Sequence, residues 1–448
     1  MRLLVIYNRR IGGYKMSEAR ALRCLKCGTE YHLGKMWNGC PKCKTDRFLS
    51  SVEVTYDYDA AANKISKHFN NEQKKGFWKY EKLLPVLDEK HMLSLGEGDT
   101  PLIRCSRLGN ALGIKNLYIK DESRNPTWSF KDRVCCVAVS KGLEFDAKVS
   151  TISSSGNHGA ATAAYSSRGG ISSVVFTGVH RNTPWITWIR AYGAMVVPVT
   201  SGEGRHILMR KCINDYGWHP TGTFLSAKAP MPVGNPYAME GCKTMSYEIC
   251  EQLKWEPPSK VLMPLGLGEG FFGLWKGFSE LDMLDFTEGV PSMIAVEPAA
   301  TAPLKNALEK DLDYIEKIET KPTVAKSIGG GLTASHAMHA VKRSGGTSVT
   351  VTEEEIMDAQ IKMASLEGLY AEATSATVIA ALKKMKERGE VDKDELIVCI
   401  MTSGGLKDPD VTKDVLPPLP TIEPNWNVFT SFMKQNYGLT LSEEIAKL

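Results

Sequence analysis

The chain has 448 residues, 43% hydrophobic and 24% charged, the proportions of a globular protein with room for two large lobes and a small appendage. Its 55 Lys and Arg against 51 Asp and Glu leave a net charge of +4 with no basic block, which excludes nucleic acid or an anionic membrane surface as the main partner.

At the start, the apolar run 3–7 is followed at once by Asn8-Arg9-Arg10. It is too short for a signal-peptide core or a membrane span, so a cytoplasmic protein is expected, with Met16 as an alternative start. Next come Cys24-Leu-Lys-Cys27 and Cys40-Pro-Lys-Cys43. Two C-x-x-C knuckles can turn four thiolates to one point, the pattern of a closed, structural zinc site with no open position for catalysis. The other seven cysteines are scattered through apolar segments and read as small buried hydrophobes. Residues 52–93 are polar and aromatic and read as a connecting arm with some helix.

From residue 98 onward short apolar runs alternate with helical stretches. Strands are expected at 117–120, 148–152, 173–177, 195–197, 260–264, 293–297 and 396–401, with alanine- and leucine-rich helices between them. That alternation means βαβ units and parallel sheets covered on both faces. The expected fold class is α/β, with two doubly wound parallel-sheet lobes and an N-terminal zinc-ribbon-like module. The module and its tail take residues 1–50, a large lobe 51–134 plus 226–448, and a small lobe 135–225.

The segment 125–133 reads NPTWSFKDR and raises the question of why a lysine, Lys131, should sit among apolar groups. An ammonium out of water is costly, and condensation with an aldehyde removes its charge. After the strand at 148–152 comes Ser153-Ser154-Ser155-Gly156-Asn157-His158-Gly159, a turn that offers hydroxyls and amides to a carboxylate at a helix N-terminus, or simply caps that helix. Gly266-Leu267-Gly268-Glu269-Gly270 follows the strand at 260–264. Its alternating glycines let the backbone wrap a phosphate monoester, provided that Glu269 points its side chain outward. The last strand ends in Thr402-Ser403-Gly404-Gly405, which places neutral hydroxyls at a strand end. A lysine, a phosphate cup, a carboxylate turn and a hydroxyl together fit pyridoxal phosphate, with Lys131 forming the imine.

Ordered motifs now carry a family resemblance: GDTPL at 98–102, NPTWSFKDR, SSSGNHGAA, NPYAMEGCKT at 235–244, PLGLGEGFFGLWKGF at 264–278, EATSA at 372–376 and GLKDPD at 405–410. Over about seven tenths of its length the chain resembles pyridoxal-phosphate enzymes of the tryptophan-synthase-β-like fold (fold type II), in the threonine synthase branch. The resemblance implies that Lys131 is the Schiff-base lysine and proton shuttle, and that Asn157 bonds the cofactor's 3-hydroxyl. It places the substrate carboxylate on Ser154 and Ser155, and the phosphate on Gly266, Gly268 and Gly270. Thr402 or Ser403 faces the pyridine nitrogen. Trp128 and His158 line the substrate side, and a homodimer is expected, as is common for this fold.

Three departures bear on the substrate, a small amino acid. Relatives usually carry glycine at Trp128, an STGNT or STGNA turn at SSSGNHG, and NPYR where this chain has Ala238. An arginine there is a grip for the phosphate of O-phosphohomoserine, worth about 1.5–3 kcal/mol per charge-assisted hydrogen bond. The expected activity is a lyase acting by α-proton abstraction and β/γ-elimination, threonine-synthase-like, releasing phosphate from O-phosphohomoserine. The alternative is a serine or threonine ammonia-lyase, or a β-replacement enzyme, on an unphosphorylated amino acid. A non-catalytic binding protein is disfavoured by the retention of Lys131 with the glycine cup.

Overall fold

A computed structural model describes residues 16–65, 69, 76–179, 184–225 and 231–441; the apolar run 3–7 lies outside these described residues. The first strands are β1 (Ala19–Cys24), β2 (Glu30–Tyr31) and β3 (Val52–Tyr56), an antiparallel sheet in the order β2-β1-β3. The expected connecting arm therefore begins as a strand. Its sequence VEVTY is β-branched at alternate positions and wholly buried, so it pairs with β1 instead of looping away. The module extends past residue 50 for the same reason.

The large lobe opens with β4 (Leu102–Arg104) and β5 (Asn116–Asp121). The chain then builds the small lobe: β6 (Val149–Ser153), β7 (Ser172–Gly178), β8 (Met195–Val199) and β9 (His219–Pro220) make a parallel sheet in the order β8-β7-β6-β9. A short antiparallel pair, β10 (Phe224–Leu225) and β11 (Pro232–Val233), leads back to the large lobe. There β12 (Lys260–Pro264), β13 (Ser292–Pro298), β14 (Thr347–Val351) and β15 (Leu396–Met401) complete a six-stranded sheet in the order β14-β13-β12-β15-β5-β4. All its pairings are parallel except β4 with β5. In the six- and four-stranded sheets the expected strands are present, and β4, β9 and β14 are added to them.

Most of the parallel strands feed a helix, though β9 leads straight into β10. Lys131–Glu144, Asn157–Arg168, Glu269–Met283 and Ala373–Glu387 are largely buried along their lengths. Residues 410–441 belong to a unit of their own, where the sequence assigns them to the large lobe. This unit carries the helix Trp426–Tyr437, capped by Asn425, with no buried side chain. Among the described residues no helix is long and apolar enough to cross a membrane.

Two residues beyond Lys131, Arg133 lies fully buried in a charge cluster. Its guanidinium donates to Glu122 at 2.7 Å and to Glu248 at 2.6 Å, and Lys120 donates to Glu248 at 2.7 Å. Thr100 of the GDTPL motif donates to Glu122 at 2.7 Å. The cluster ties β5, the loop before β4 and the lysine helix to Glu248 on the helix Thr244–Gln252, and so fixes the base of the segment that carries Lys131.

Candidate active site

The segment 127–131 runs across the C-terminal end of β15. Phe130 N–H donates to the Thr402 carbonyl at 3.1 Å, and Ser403 Oγ donates to the Trp128 carbonyl at 2.9 Å. Helix Lys131–Glu144 then starts at the lysine itself, so its side chain projects from the first turn. Its amine is not sealed in apolar surroundings: the side chain is 18% exposed and Nζ donates to Glu269 Oε2 at 3.1 Å.

Glu269, between Gly268 and Gly270 of the glycine loop, is the first residue of the helix Glu269–Met283. Gly268 turns the chain at φ +98°, and a Cβ there would lie 2.8 Å from Ala337 Cβ. A Cβ on Gly270 would lie 2.5 Å from Phe130 Cε2. Both glycines are demanded by close backbone approach. The expectation that Glu269 faces outward is corrected: its carboxylate is buried and turned inward, accepting from Thr223 Oγ1 at 2.7 Å as well as from Lys131. The lysine and the threonine hydroxyl are the donors that draw it in. Burial alone would raise this carboxyl, but Lys131 and His158 outweigh burial and hold it at about 2.

His158 Nε2 is 3.2 Å from the Thr221 carbonyl, to which only a protonated nitrogen can donate, so the bare Nδ1 faces Glu269 Oε2 at 3.7 Å. Burial, reinforced by the Lys131 charge, pushes this imidazole down to about 4, so it is neutral at pH 7. Asn157 starts the helix Asn157–Arg168 and is gripped from three directions. Its Nδ2 donates to Glu372 at 2.9 Å, while its Oδ1 accepts from Trp185 Nε1 at 3.1 Å and Lys407 Nζ at 2.6 Å. Lys407 also donates to the Thr127 carbonyl at 2.6 Å; burial pulls its amine down to about 8 against the pull of Glu372 and Asp132.

Ser154 and Ser155 lie in the half-buried turn after β6, with Ser154 Oγ accepting from Gly156 N–H at 3.3 Å. Next to them Ser153 Oγ is buried with no partner. Of the two strand-end hydroxyls, that of Ser403 is spent on Trp128, while Thr402 Oγ1 meets only Ser375 Oγ at 2.8 Å. Trp128 adopts φ +59° and is 50% exposed, its ring edge-on to Trp188 at 5.1 Å. Ala238 is sealed inside the helix Pro236–Cys242 and lines nothing. A cavity of about 640 Å³ lies elsewhere on the molecule and one of about 600 Å³ borders the glycine loop at Leu267; Lys131 lines neither.

The structure thus gathers Lys131, Asn157, His158, the glycine loop, Thr402 and Ser403 around one point. Sequence reasoning missed Thr223, Glu372 and Lys407. Glu372 and Lys407 stand inside quoted motifs, EATSA and GLKDPD, but their role depends on Asn157, more than 200 residues away, which nothing local reveals. Most of these residues suit pyridoxal phosphate: an amine that can condense, a tight glycine turn at the start of a helix whose first N–H groups lack intrahelical partners, and an amide held by fixed neighbours; the inward carboxylate of Glu269 opposes an anion on that turn and is met by Lys131 and Thr223. In the N-terminal module the four sulfurs lie within 4.8 Å of one another, with Cys24 to Cys43 at 3.7 Å and Cys27 to Cys40 at 3.9 Å. Those separations match the edges of a tetrahedron with ~2.3 Å zinc–sulfur bonds.

Comparison with known proteins places this geometry. The family described as pyridoxal-phosphate dependent enzyme matches residues 93–403. The threonine synthase of Methanocaldococcus jannaschii is 35% identical over 92% of this chain and 99% of its own, and that of Methanosarcina acetivorans 34% over 88% and 94%. The solved structure of processed threonine deaminase isoform 2 from Solanum lycopersicum is similar in fold, with a TM-score of 0.59, 23% identity, and coverage of 70% of this chain and 83% of that one.

Proposed function

The chain belongs to the pyridoxal-phosphate dependent enzymes of fold type II, in the threonine synthase branch, and is a lyase; from that premise we propose that it removes the α-proton of a small hydroxy amino acid and expels its side-chain hydroxyl. One observation carries this reading. The groups that face Lys131 are a carboxylate, a neutral imidazole and an aromatic ring, Phe130, so among the described residues the space beside the lysine offers no cation to a second phosphate. The amine of Lys407 is held by Asn157 and Thr127, and the guanidinium of Arg133 by Glu122 and Glu248.

Bound at this site, pyridoxal phosphate supplies an aldehyde for Lys131 and an electron sink for the carbon that loses its proton. The chain supplies the rest. Lys131 holds the cofactor and then moves the α-proton at Nζ. Ser154 and Ser155 receive the substrate carboxylate in the turn at the start of the helix Asn157–Arg168. Asn157, fixed by Glu372, Trp185 and Lys407, orients the ring, and the loop of Gly266, Gly268 and Gly270 takes the phosphate. Thr402, the hydroxyl with capacity to spare, meets the pyridine nitrogen. Trp128 with Trp188 walls the entrance, and the four cysteines hold a structural zinc.

A second reading, threonine synthesis from O-phosphohomoserine, draws support from the 35% identity to the Methanocaldococcus enzyme. The near-ultraviolet and visible absorbance of the holoenzyme separates the two. Serine, threonine or homoserine shifting the resting band, with O-phosphohomoserine inert, is the expected result. A shift with O-phosphohomoserine alone overturns the first reading in favour of the second.

A further inference from the structure

We propose that Glu269 is a further catalytic residue, the carboxylate that passes the proton taken up by Lys131 to the departing hydroxyl of the substrate. This rests on the reading that the leaving group is a hydroxyl.

Four observations lead there. Glu269 Oε2 lies 3.1 Å from Lys131 Nζ, the atom that handles the α-proton. Thr223 holds the other oxygen at 2.7 Å, so the carboxylate has one fixed orientation. Gly222 is bare where a Cβ would lie 2.1 Å from His158 Cε1 and 2.8 Å from Glu269 Oε1, so the backbone of that loop closes directly onto the pair. The bare Nδ1 of His158 faces Glu269 Oε2, the oxygen that also meets Lys131, at 3.7 Å, a second proton acceptor beside the first. An acid with no chemical task is poorly placed here, because a buried carboxylate on a phosphate-binding loop repels the anion which that loop receives.

The step balances without a co-reactant. The Lys131 lone pair takes the α-proton, and the C–H electrons form the new carbon–carbon double bond. The bond to the hydroxyl breaks with its electron pair on oxygen. The proton reaches that oxygen through Glu269, water departs, and Lys131 and Glu269 end as they began. A leaving group that is stable as an anion has no need of the relay.

The test compares serine with β-chloroalanine on holoenzyme, wild type and Glu269→Gln, which keeps the side chain's shape and its contact with Thr223. With serine the variant is expected to lose ~100-fold or more in kcat, the range of general acid catalysis. With β-chloroalanine, whose chloride leaves unprotonated, it stays within about threefold of wild type, and exchange of the substrate α-proton into heavy water persists. Equal losses on both substrates overturn the inference. Wild type eliminating β-chloroalanine but not serine or threonine overturns the hydroxyl reading beneath it, and the two failures are distinct. Should Glu269→Gln not fold, Thr223→Val frees the carboxylate and is expected to show the same split in smaller measure; no split overturns the proposal. A readout without turnover is the labelling of Lys131 by an amine reagent in cofactor-free protein at pH 7.5. Glu269→Gln is expected to speed it severalfold, and an unchanged rate contradicts the contact.

Discussion

Trp128 holds a bulky ring at φ +59°, a conformation that costs a non-glycine residue about 1–2 kcal/mol. The Trp128→Gly exchange relieves that strain while giving up a half-exposed ring and its edge contact with Trp188, so the two effects offset. Thermal unfolding of the variant is expected to show stability within about 1 kcal/mol of wild type, where burying an aromatic in a core usually makes its loss worth about 3–5. A loss near the upper figure contradicts the account of the wall. Glu269 makes a pH prediction. Its folded value of about 2 lies below its ordinary 4.5, so its stabilisation is complete above pH 4.5 and lost as pH falls toward 2. His158, His219 and His336, all pushed down to about 4 chiefly by burial, act earlier: unfolded imidazoles bind protons first, so stability falls as pH drops from 6.5 toward 4. In denaturant titrations of cofactor-free protein, Glu269→Gln is expected to keep the upper slope and flatten the lower one; an unaltered lower slope is the contrary result. Lys131 was legible from its neighbours in sequence. The inward turn of Glu269 was not, because Thr223 approaches it from across the fold.

At the level of elements, the strand-loop-helix units were readable wherever an apolar run led into small residues, as at β6 and β12. The edge strand β4 and two-residue β9 were not, since their pairing is decided by partners distant in sequence. The NPTWSFKDR motif has two faces in the structure, Lys131 toward the site and Arg133 toward the sealed cluster with Glu122 and Glu248. Glu248→Ala removes the shared acceptor of Arg133 and Lys120, leaving buried Lys120 without a carboxylate and Arg133 with Glu122 alone. It is expected to destabilise by about 3–5 kcal/mol in urea unfolding. A cost below about 1 kcal/mol shows that the cluster relaxes and does not anchor the lysine helix.

Over the whole molecule, the N-terminal module is built against the machinery of the site. Trp37 packs edge-on to His219 at 5.1 Å, two residues before Thr221, and Ser51 Oγ meets His336 Nδ1 at 2.9 Å behind Gly268. The cysteine spacing makes the four-sulfur cluster legible in the sequence, while the contact of its module with the glycine loop emerges only from tertiary structure. If the four sulfurs hold zinc, a chelator is expected to weaken cofactor binding severalfold, measured by the visible band against added pyridoxal phosphate; unchanged affinity contradicts this coupling. A hydroxyl-expelling lyase built on Lys131 is checked by offering the holoenzyme serine, threonine, homoserine and O-phosphohomoserine in parallel and measuring 2-oxo acid, ammonia and inorganic phosphate. The expected result is 2-oxo acid and ammonia from an unphosphorylated amino acid, abolished in Lys131→Ala; phosphate and threonine from O-phosphohomoserine, with the other substrates inert, would contradict it.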